Sequence, residues 1–161
     1  MADQPENIAD GQNGLWVAPA PGAPPVGPEA RRLDFWVGEW TLTWDGGGGR
    51  NVIREIHGGR AVFETFSADP PEELKGNSIS VWDSRHTRWA QTWWDNHGSV
   101  FQLTGDFVGA DLVLMTAPES DGSLYRMTFA KITASSFEWE WARSSGGGEV
   151  EPMWIVHYHR T

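Results

Sequence analysis

From residue 35 onward, apolar and polar residues alternate with a period of two along most of the chain. This alternation is typical of strands with one buried face, and Gly, Asn, Asp and Ser interrupt it at intervals typical of hairpins. One of these turn signals is the glycine run at residues 46–49. The pattern predicts ten strands, at residues 35–45, 50–57, 60–67, 77–83, 87–95, 99–107, 110–117, 123–132, 136–143 and 150–160.

The short connections predict how these strands are arranged. Strands joined by tight hairpins are antiparallel, and a long meander removes its exposed edges by closing on itself. We therefore predict an all-β fold, a ten-stranded antiparallel up-and-down β-barrel. Pro28 fits the first position of a helix, so residues 28–33 are expected to form a short helical turn before the barrel.

The segment before the barrel has a different composition. Residues 1–27 are rich in Pro, Gly and Ala and have too few apolar side chains for a packed core. We therefore expect a flexible N-terminal arm over residues 1–27 and a barrel domain over residues 28–161. The chain shows neither the basic region and apolar run of a secretory signal nor a stretch of about 18 apolar residues that could span a membrane. We therefore expect a cytoplasmic protein without a membrane partner.

Strand 136–143 has the clearest inward face, because two glutamates alternate with Phe137, Trp139 and Trp141. Carboxylates left unpaired inside a barrel are costly, so the aromatic side chains should point inward. The same reasoning points the following residues inward: Phe101, Leu103, Gly105 and Phe107 in strand 99–107, and Tyr125, Met127 and Phe129 in strand 123–132.

Strand 87–95 carries polar and aromatic residues on one face, which consists of Trp89, Gln91, Trp93 and Asp95. An amide and a carboxylate beside indole rings are more typical of a binding cavity than of a filled core. If this face points inward, the barrel encloses a ligand site. The ligand-binding residues that we predict are Trp89, Gln91, Trp93, Asp95, Phe101, Tyr125, Met127, Trp139 and Trp141.

Three titratable side chains are candidates for acid–base catalysis. Glu64 shares a face with Val62 and Phe66, and burial there would raise its pKa into a useful range. His57 follows Glu55 at the same parity, where a carboxylate could orient the imidazole as a base. The alternatives are an outward Glu64 and a solvated His57 in the turn.

The composition limits the classes of partner that the protein could bind. The chain has eleven Trp among 161 residues, no Cys and a net charge of −10. The acidic balance argues against nucleic acid, and the absence of Cys excludes thiolate metal sites. His157 and His159 lack an evident third ligand, so no metal is expected. A cage of indole rings suits a planar aromatic ligand or a cation, and the excess of acid favours a cation over an anion.

Two stretches carry a resemblance to known proteins: "FWVGEW" at the start of the barrel, and residues 76–107 together with the closing "IVHYHRT". Here the chain resembles the DUF1579-like bacterial family of lipocalin-like (calycin) barrels and, more distantly, nitrobindin-like and fatty-acid-binding barrels. The resemblance implies a lipocalin-like barrel and supplies no catalytic role. The positions that match are Gly38, Trp40, Gly76, Asp83, Trp89, Gln91, Thr92, Trp93, Asp95, Asn96, Tyr158 and Arg160.

The distant relatives also suggest what the cavity does not hold. The haem-binding His of nitrobindin-like barrels has no counterpart at residues 150–153, so no cofactor is expected. The Arg that clamps a carboxylate in fatty-acid-binding barrels is replaced by Val156, which argues against a free fatty acid.

Three hypotheses of function remain. The first is binding of a small, largely apolar or aromatic molecule, and the alternative is a cofactor-independent cyclase, isomerase or lyase with a Glu or His as acid–base group. The third is a structural barrel with a filled interior, and a homodimer is left open. Both ligand hypotheses require a cavity of about 300 Å³ or more.

Overall fold

The computed structural model of the chain confirms the predicted fold and describes residues 21–146 and 148–161. Each strand pairs with its neighbours along the chain, and the first pairs with the last to close the barrel. The ten strands are β1 (Gly38–Trp44), β2 (Gly47–Ile56), β3 (Ala61–Ala68), β4 (Lys75–Asp83), β5 (Arg88–Asp95), β6 (Val100–Val108), β7 (Asp111–Met115), β8 (Leu124–Ala130), β9 (Ser136–Ser144) and β10 (Val150–Arg160). Residues 1–20 of the predicted arm lie outside the described residues.

Two 3₁₀ turns, Glu29–Arg31 and Asp34–Trp36, precede the barrel. The predicted helical turn is therefore present, but the prediction that the first strand begins at residue 35 was wrong. The Trp36 backbone N–H bonds to the Leu33 carbonyl at 2.9 Å, which bends the chain before β1. This turn carries the Trp36 side chain into the core.

Trp40 and Arg160 close the end of the barrel next to these 3₁₀ turns. Trp40 is 1% exposed, and its Nε1–H donates to the Trp36 carbonyl at 2.7 Å. The Arg160 guanidinium lies 4.2 Å from the centre of the Trp40 ring. It also donates to the backbone carbonyls of Phe35, Val37 and Ala134, each at 2.9 Å. These hydrogen bonds join the last strand to the turn before the first, and we call this end the closed end.

The glycine run does not form the hairpin tip that the sequence predicts. The turn is formed at residues 45–46, and Gly47, Gly48 and Gly49 belong to β2. A Cβ at Gly47 would overlap the Trp44 indole, and one at Gly49 would overlap a backbone carbonyl of β3. These glycines are required because a ring and a neighbouring strand approach the backbone closely.

The inward faces follow the predicted alternation in most strands. The aromatic face of β9 points inward, while Glu138 and Glu140 form ion pairs with Lys131 and Arg126. β4 is the exception, because its small polar residues Ser78 and Ser80 are buried while Val81 is 38% exposed. A polar strip therefore runs down the inside of an otherwise aromatic barrel.

Candidate functional site

A cavity of about 280 Å³ lies inside the barrel. Leu74, Asp95, His97 and Ser99 line it at the end opposite the closed end, where the β3–β4 and β5–β6 connections lie. Trp36, Phe129 and Tyr158 line it at the closed end. The expectation of about 300 Å³ or more was therefore wrong by a small margin. Because that limit describes pockets for drug-sized ligands, a cavity of this volume has room only for a smaller molecule. The barrel's own side chains do not fill its interior.

Six aromatic side chains surround the cavity and form what we call the aromatic belt. Its members come from five strands: Phe66, Trp93, Phe101, Trp139, Trp141 and Trp154. Ring centroids of successive neighbours lie 5.0–6.3 Å apart from Trp93 through Phe66, Trp154, Trp139 and Trp141 to Phe101. Trp93 and Phe101 are register partners on β5 and β6, which completes the circle. The middle of the cavity wall therefore consists mainly of aromatic rings.

A buried acid lies below the belt, toward the closed end. Glu64 is 5% exposed and lies two residues before Phe66 on β3. Its Oε1 accepts a hydrogen bond from Asn51 Nδ2 at 2.6 Å, and its Oε2 accepts one from Ser78 Oγ at 2.5 Å. The same Asn51 amide donates to the Tyr158 hydroxyl at 3.0 Å. Strands β2, β3, β4 and β10 thus converge on a single carboxyl group, held by neutral side chains.

The environment of Glu64 favours its neutral form. Burial raises its pKa from 4.5 to about 7, and the hydrogen bonds from Ser78 and Asn51 only partly oppose this. Burial also raises the pKa of Tyr158 well above its ordinary value, and the nearby Glu64 charge adds to this effect. At neutral pH the cavity therefore contains a protonated phenol and a carboxyl group that is near its midpoint.

A second carboxyl group lies at the open end of the cavity. Asp95 accepts hydrogen bonds from Trp93 Nε1 at 3.0 Å and from the backbone N–H groups of His97 and Ser99 at 2.9 and 3.0 Å. Burial alone would raise the pKa of Asp95, but these hydrogen bonds together lower it below its ordinary value. A Cβ at Gly76 would overlap the Trp93 ring. Trp93 is thus held from one side by Asp95 and packed from the other against a residue without a side chain.

The structure brings most of the predicted ligand-binding residues together. Seven predicted site residues line the cavity: Glu64, Trp93, Asp95, Phe101, Met127, Trp139 and Trp141. Three others do not line it. Gln91 donates to Ser80 Oγ at 2.9 Å, Trp89 packs against the Trp82 ring at 5.8 Å, and Tyr125 stacks on Trp141 at 5.3 Å. These three support the wall, because the barrel is too narrow for every inward side chain to reach one cavity.

Glu55 and His57 lie away from the cavity lining. Glu55 Oε1 forms an ion pair with Arg31 Nη1 at 2.9 Å, beside the first 3₁₀ turn. His57 is exposed in the β2–β3 hairpin with a φ of 52°. The two residues share a parity, as the sequence indicates, but they lie at the rim of the closed end, and His57 is in the turn, as the alternative interpretation had it. Of the three predicted acid–base candidates, Glu64 alone lines the cavity.

Several cavity residues were not predicted from the sequence. Trp154 shares its parity with the buried residues Val156 and Tyr158, and that shared parity was the available signal. Asn51 and Ser78 reach Glu64 through the register of β2 and β4 against β3. No local pattern reports such a register.

Three further findings concern the described residues. Within residues 21–146 and 148–161, no three His, Asp or Glu side chains are grouped so that they could hold a metal ion. No helix in this part of the chain has the length and apolar character needed to cross a membrane. Trp36 Nε1 and Asn51 Oδ1 are buried without a hydrogen-bond partner. Toward the closed end, these two buried polar atoms therefore form no hydrogen bond with the described residues.

Comparisons with known proteins leave the site to be interpreted from its own geometry. No protein-family model matches the chain. No curated protein matches it either. The likeness to DUF1579-like barrels, carried by residues such as Trp93 and Asp95, stays a prediction.

Proposed function

We propose that the barrel binds one small, largely aromatic molecule in the cavity enclosed by the aromatic belt. The observation that carries this proposal is the combination of six belt rings with a single buried carboxyl group, Glu64, below them. Ligand sites are typically apolar with a few polar groups that fix orientation. In this site the belt provides apolar contact. Glu64, with its neighbours Asn51, Ser78 and Tyr158, provides the end of the cavity at which a polar substituent of the ligand binds.

The cavity volume sets the size of this ligand. A water molecule occupies about 30 Å³ of liquid, so 280 Å³ corresponds to about nine waters. That is room for a molecule of about ten non-hydrogen atoms, such as a benzene ring with a short chain or a fused bicyclic ring. Longer lipids exceed this volume.

Trp93→Ala is expected to weaken binding of such molecules at least about tenfold, because it removes one ring of the belt. Binding is measured by calorimetric titration of the full chain with a panel of three test ligands: benzyl alcohol, 2-phenylethanol and indole. Native mass spectrometry of freshly purified protein would detect a molecule retained from the cell.

Trp94→Ala is the matched control for Trp93→Ala. Trp94 is the next residue of β5, is 39% exposed and packs on Phe63 at the outer surface. Its removal should leave the affinities unchanged. Equal weakening by the two variants, or binding of no panel member by the wild type, would contradict the proposal.

A second candidate function, an acid–base enzyme, is favoured by one specific observation. Glu64 lines the cavity and its pKa is raised to about 7, which suits a general base or acid at neutral pH. In an isomerisation, the Glu64 carboxylate would accept a proton from one carbon and return it to another, so that the reaction balances within the substrate. The Tyr158 hydroxyl stays protonated and could donate to the oxygen on which charge develops.

Deuterium exchange tests this candidate without knowledge of the natural substrate. The probe is 2-indanone, a bicyclic ketone of fitting size with acidic C–H groups, incubated with protein in D₂O and followed by NMR. If Glu64 is a base, the wild type should incorporate deuterium at least about a hundredfold faster than Glu64→Gln. Equal rates would leave the barrel a binding protein.

A further inference from the structure

The cavity lining contains two carboxyl groups, and His97 at the open end is the one basic side chain that lines it among the described residues. Glu64 lies near the closed end, Asp95 lies near the open end, and no Lys or Arg lines the cavity among the described residues. A carboxylate or phosphate ligand would therefore meet two acids and no guanidinium or ammonium partner. The lining disfavours anions, so neutral molecules and cations are the better candidate occupants.

Among residues 21–146 and 148–161, no cationic side chain pairs with Glu64. Both of its hydrogen-bond donors, Asn51 and Ser78, are neutral, and the Tyr158 hydroxyl is reached only through Asn51. A buried carboxylate without a counter-charge is unfavourable, which is why burial raises its pKa. A ligand with a positive charge would supply the group that the fold omits.

The aromatic belt suits the same ligand. A cation that enters from the open end passes Asp95 and then the indole rings that line the cavity, among them Trp93, Trp139 and Trp154. Indole faces attract cations through their quadrupole, most strongly where water is excluded. The belt also covers an aromatic ring carried by the ligand. Attraction to the positive group therefore continues from the open end to Glu64.

We infer that the occupant of the cavity is a small aromatic amine, bound as its ammonium ion with the nitrogen at Glu64 and the ring within the aromatic belt. The inference rests on the proposed function and names its ligand class. An arylalkylamine with a two-carbon chain has about ten non-hydrogen atoms, as the volume of about 280 Å³ requires.

Three compounds with one phenylalkyl framework test this inference: 2-phenylethylamine, 2-phenylethanol and 3-phenylpropanoate. They present an ammonium, a hydroxyl and a carboxylate group in turn. Affinities for the full chain are measured by calorimetry at pH 6, 7 and 8, where an alkylammonium of pKa near 10 stays charged. At pH 8 the amine should bind at least about tenfold more tightly than the alcohol, and the carboxylate should bind least.

The pH profile of the wild type requires no variant. Because the ammonium ion prefers ionised Glu64, its affinity should rise about tenfold from pH 6 to pH 8, as the carboxyl group titrates with a pKa of about 7. The affinity of 2-phenylethanol should not rise over this range. Glu64→Gln should remove the rise for the amine, while Glu39→Gln, an exposed change of the same charge on β1, should preserve it.

The possible outcomes separate this inference from the proposed function. Binding of the alcohol as tightly as the amine, or an amine affinity that Glu64→Gln leaves unchanged at pH 8, would overturn the inference while the binding function stands. Preference for the carboxylate would overturn it as well. Binding of none of the three compounds would overturn both.

Discussion

Replacing Trp40 with alanine is expected to lower the free energy of unfolding by about 3–5 kcal/mol. The side chain is 1% exposed and packs edge to face on Phe137, with ring centroids 4.9 Å apart. It also supports the Arg160 guanidinium at 4.2 Å. The substitution leaves a hole at the closed end and frees the Trp36 carbonyl, to which Trp40 donates.

Urea denaturation at fixed pH measures this loss. Trp40→Phe keeps a ring but lacks the Nε1–H donor, so its expected cost is smaller, about 1–3 kcal/mol. Trp94→Ala, on the outer surface, should cost about 1 kcal/mol or less. If Trp40→Ala were no more costly than Trp94→Ala, the closed end would not contribute to stability as described.

Glu64→Gln is expected to change how stability depends on pH. The pKa of Glu64 is about 7 in the folded protein, against 4.5 for an ordinary glutamate. Since the folded state prefers the neutral carboxyl group, the stabilisation is fully present below pH 4.5 and is lost as the pH rises through 7. From pH 5 to pH 8 the wild type should therefore lose about 2–3 kcal/mol more than the variant.

Glutamine is suited to this comparison because it keeps the shape of the neutral acid. Its Oε1 can accept from Asn51, and the Ser78 hydroxyl can rotate to accept from Nε2–H. Free energies of unfolding are compared at pH 5, 6, 7 and 8 for the wild type, Glu64→Gln and the exposed control Glu39→Gln. Parallel pH profiles for the wild type and Glu64→Gln would show that Glu64 titrates normally.

The sequence predicted those parts of the site in which charged and aromatic residues alternate along a strand. In β9, Glu138 and Glu140 mark the outer face, so the opposite face with Trp139 and Trp141 had to be inside. The cost of an unpaired buried carboxylate made this assignment firm. The same rule gave Phe101 in β6, which also belongs to the belt.

The partners of Glu64 could not be predicted in this way. In β4 the usual pattern is inverted: Ser78 is buried and Val81 is partly exposed, because the serine faces Glu64 and not an apolar core. Asn51 reaches Glu64 through the register of the β2–β3 hairpin, and Tyr158 lies 107 positions from Asn51 and meets it only because the barrel closes. Hydrophobic alternation contains no information about such register.

The Arg160 contacts at the closed end have a consequence for biosynthesis. The residue bonds to the Val37 carbonyl across 123 positions of the chain, and β10, which carries it, is the last of the ten barrel strands to be synthesised. Until then the nascent strands form an open sheet with unpaired edges at β1 and at the growing end. Pairings this distant in sequence are slow to form. The aromatic inner face of the barrel is therefore enclosed only when β10 has paired with β1.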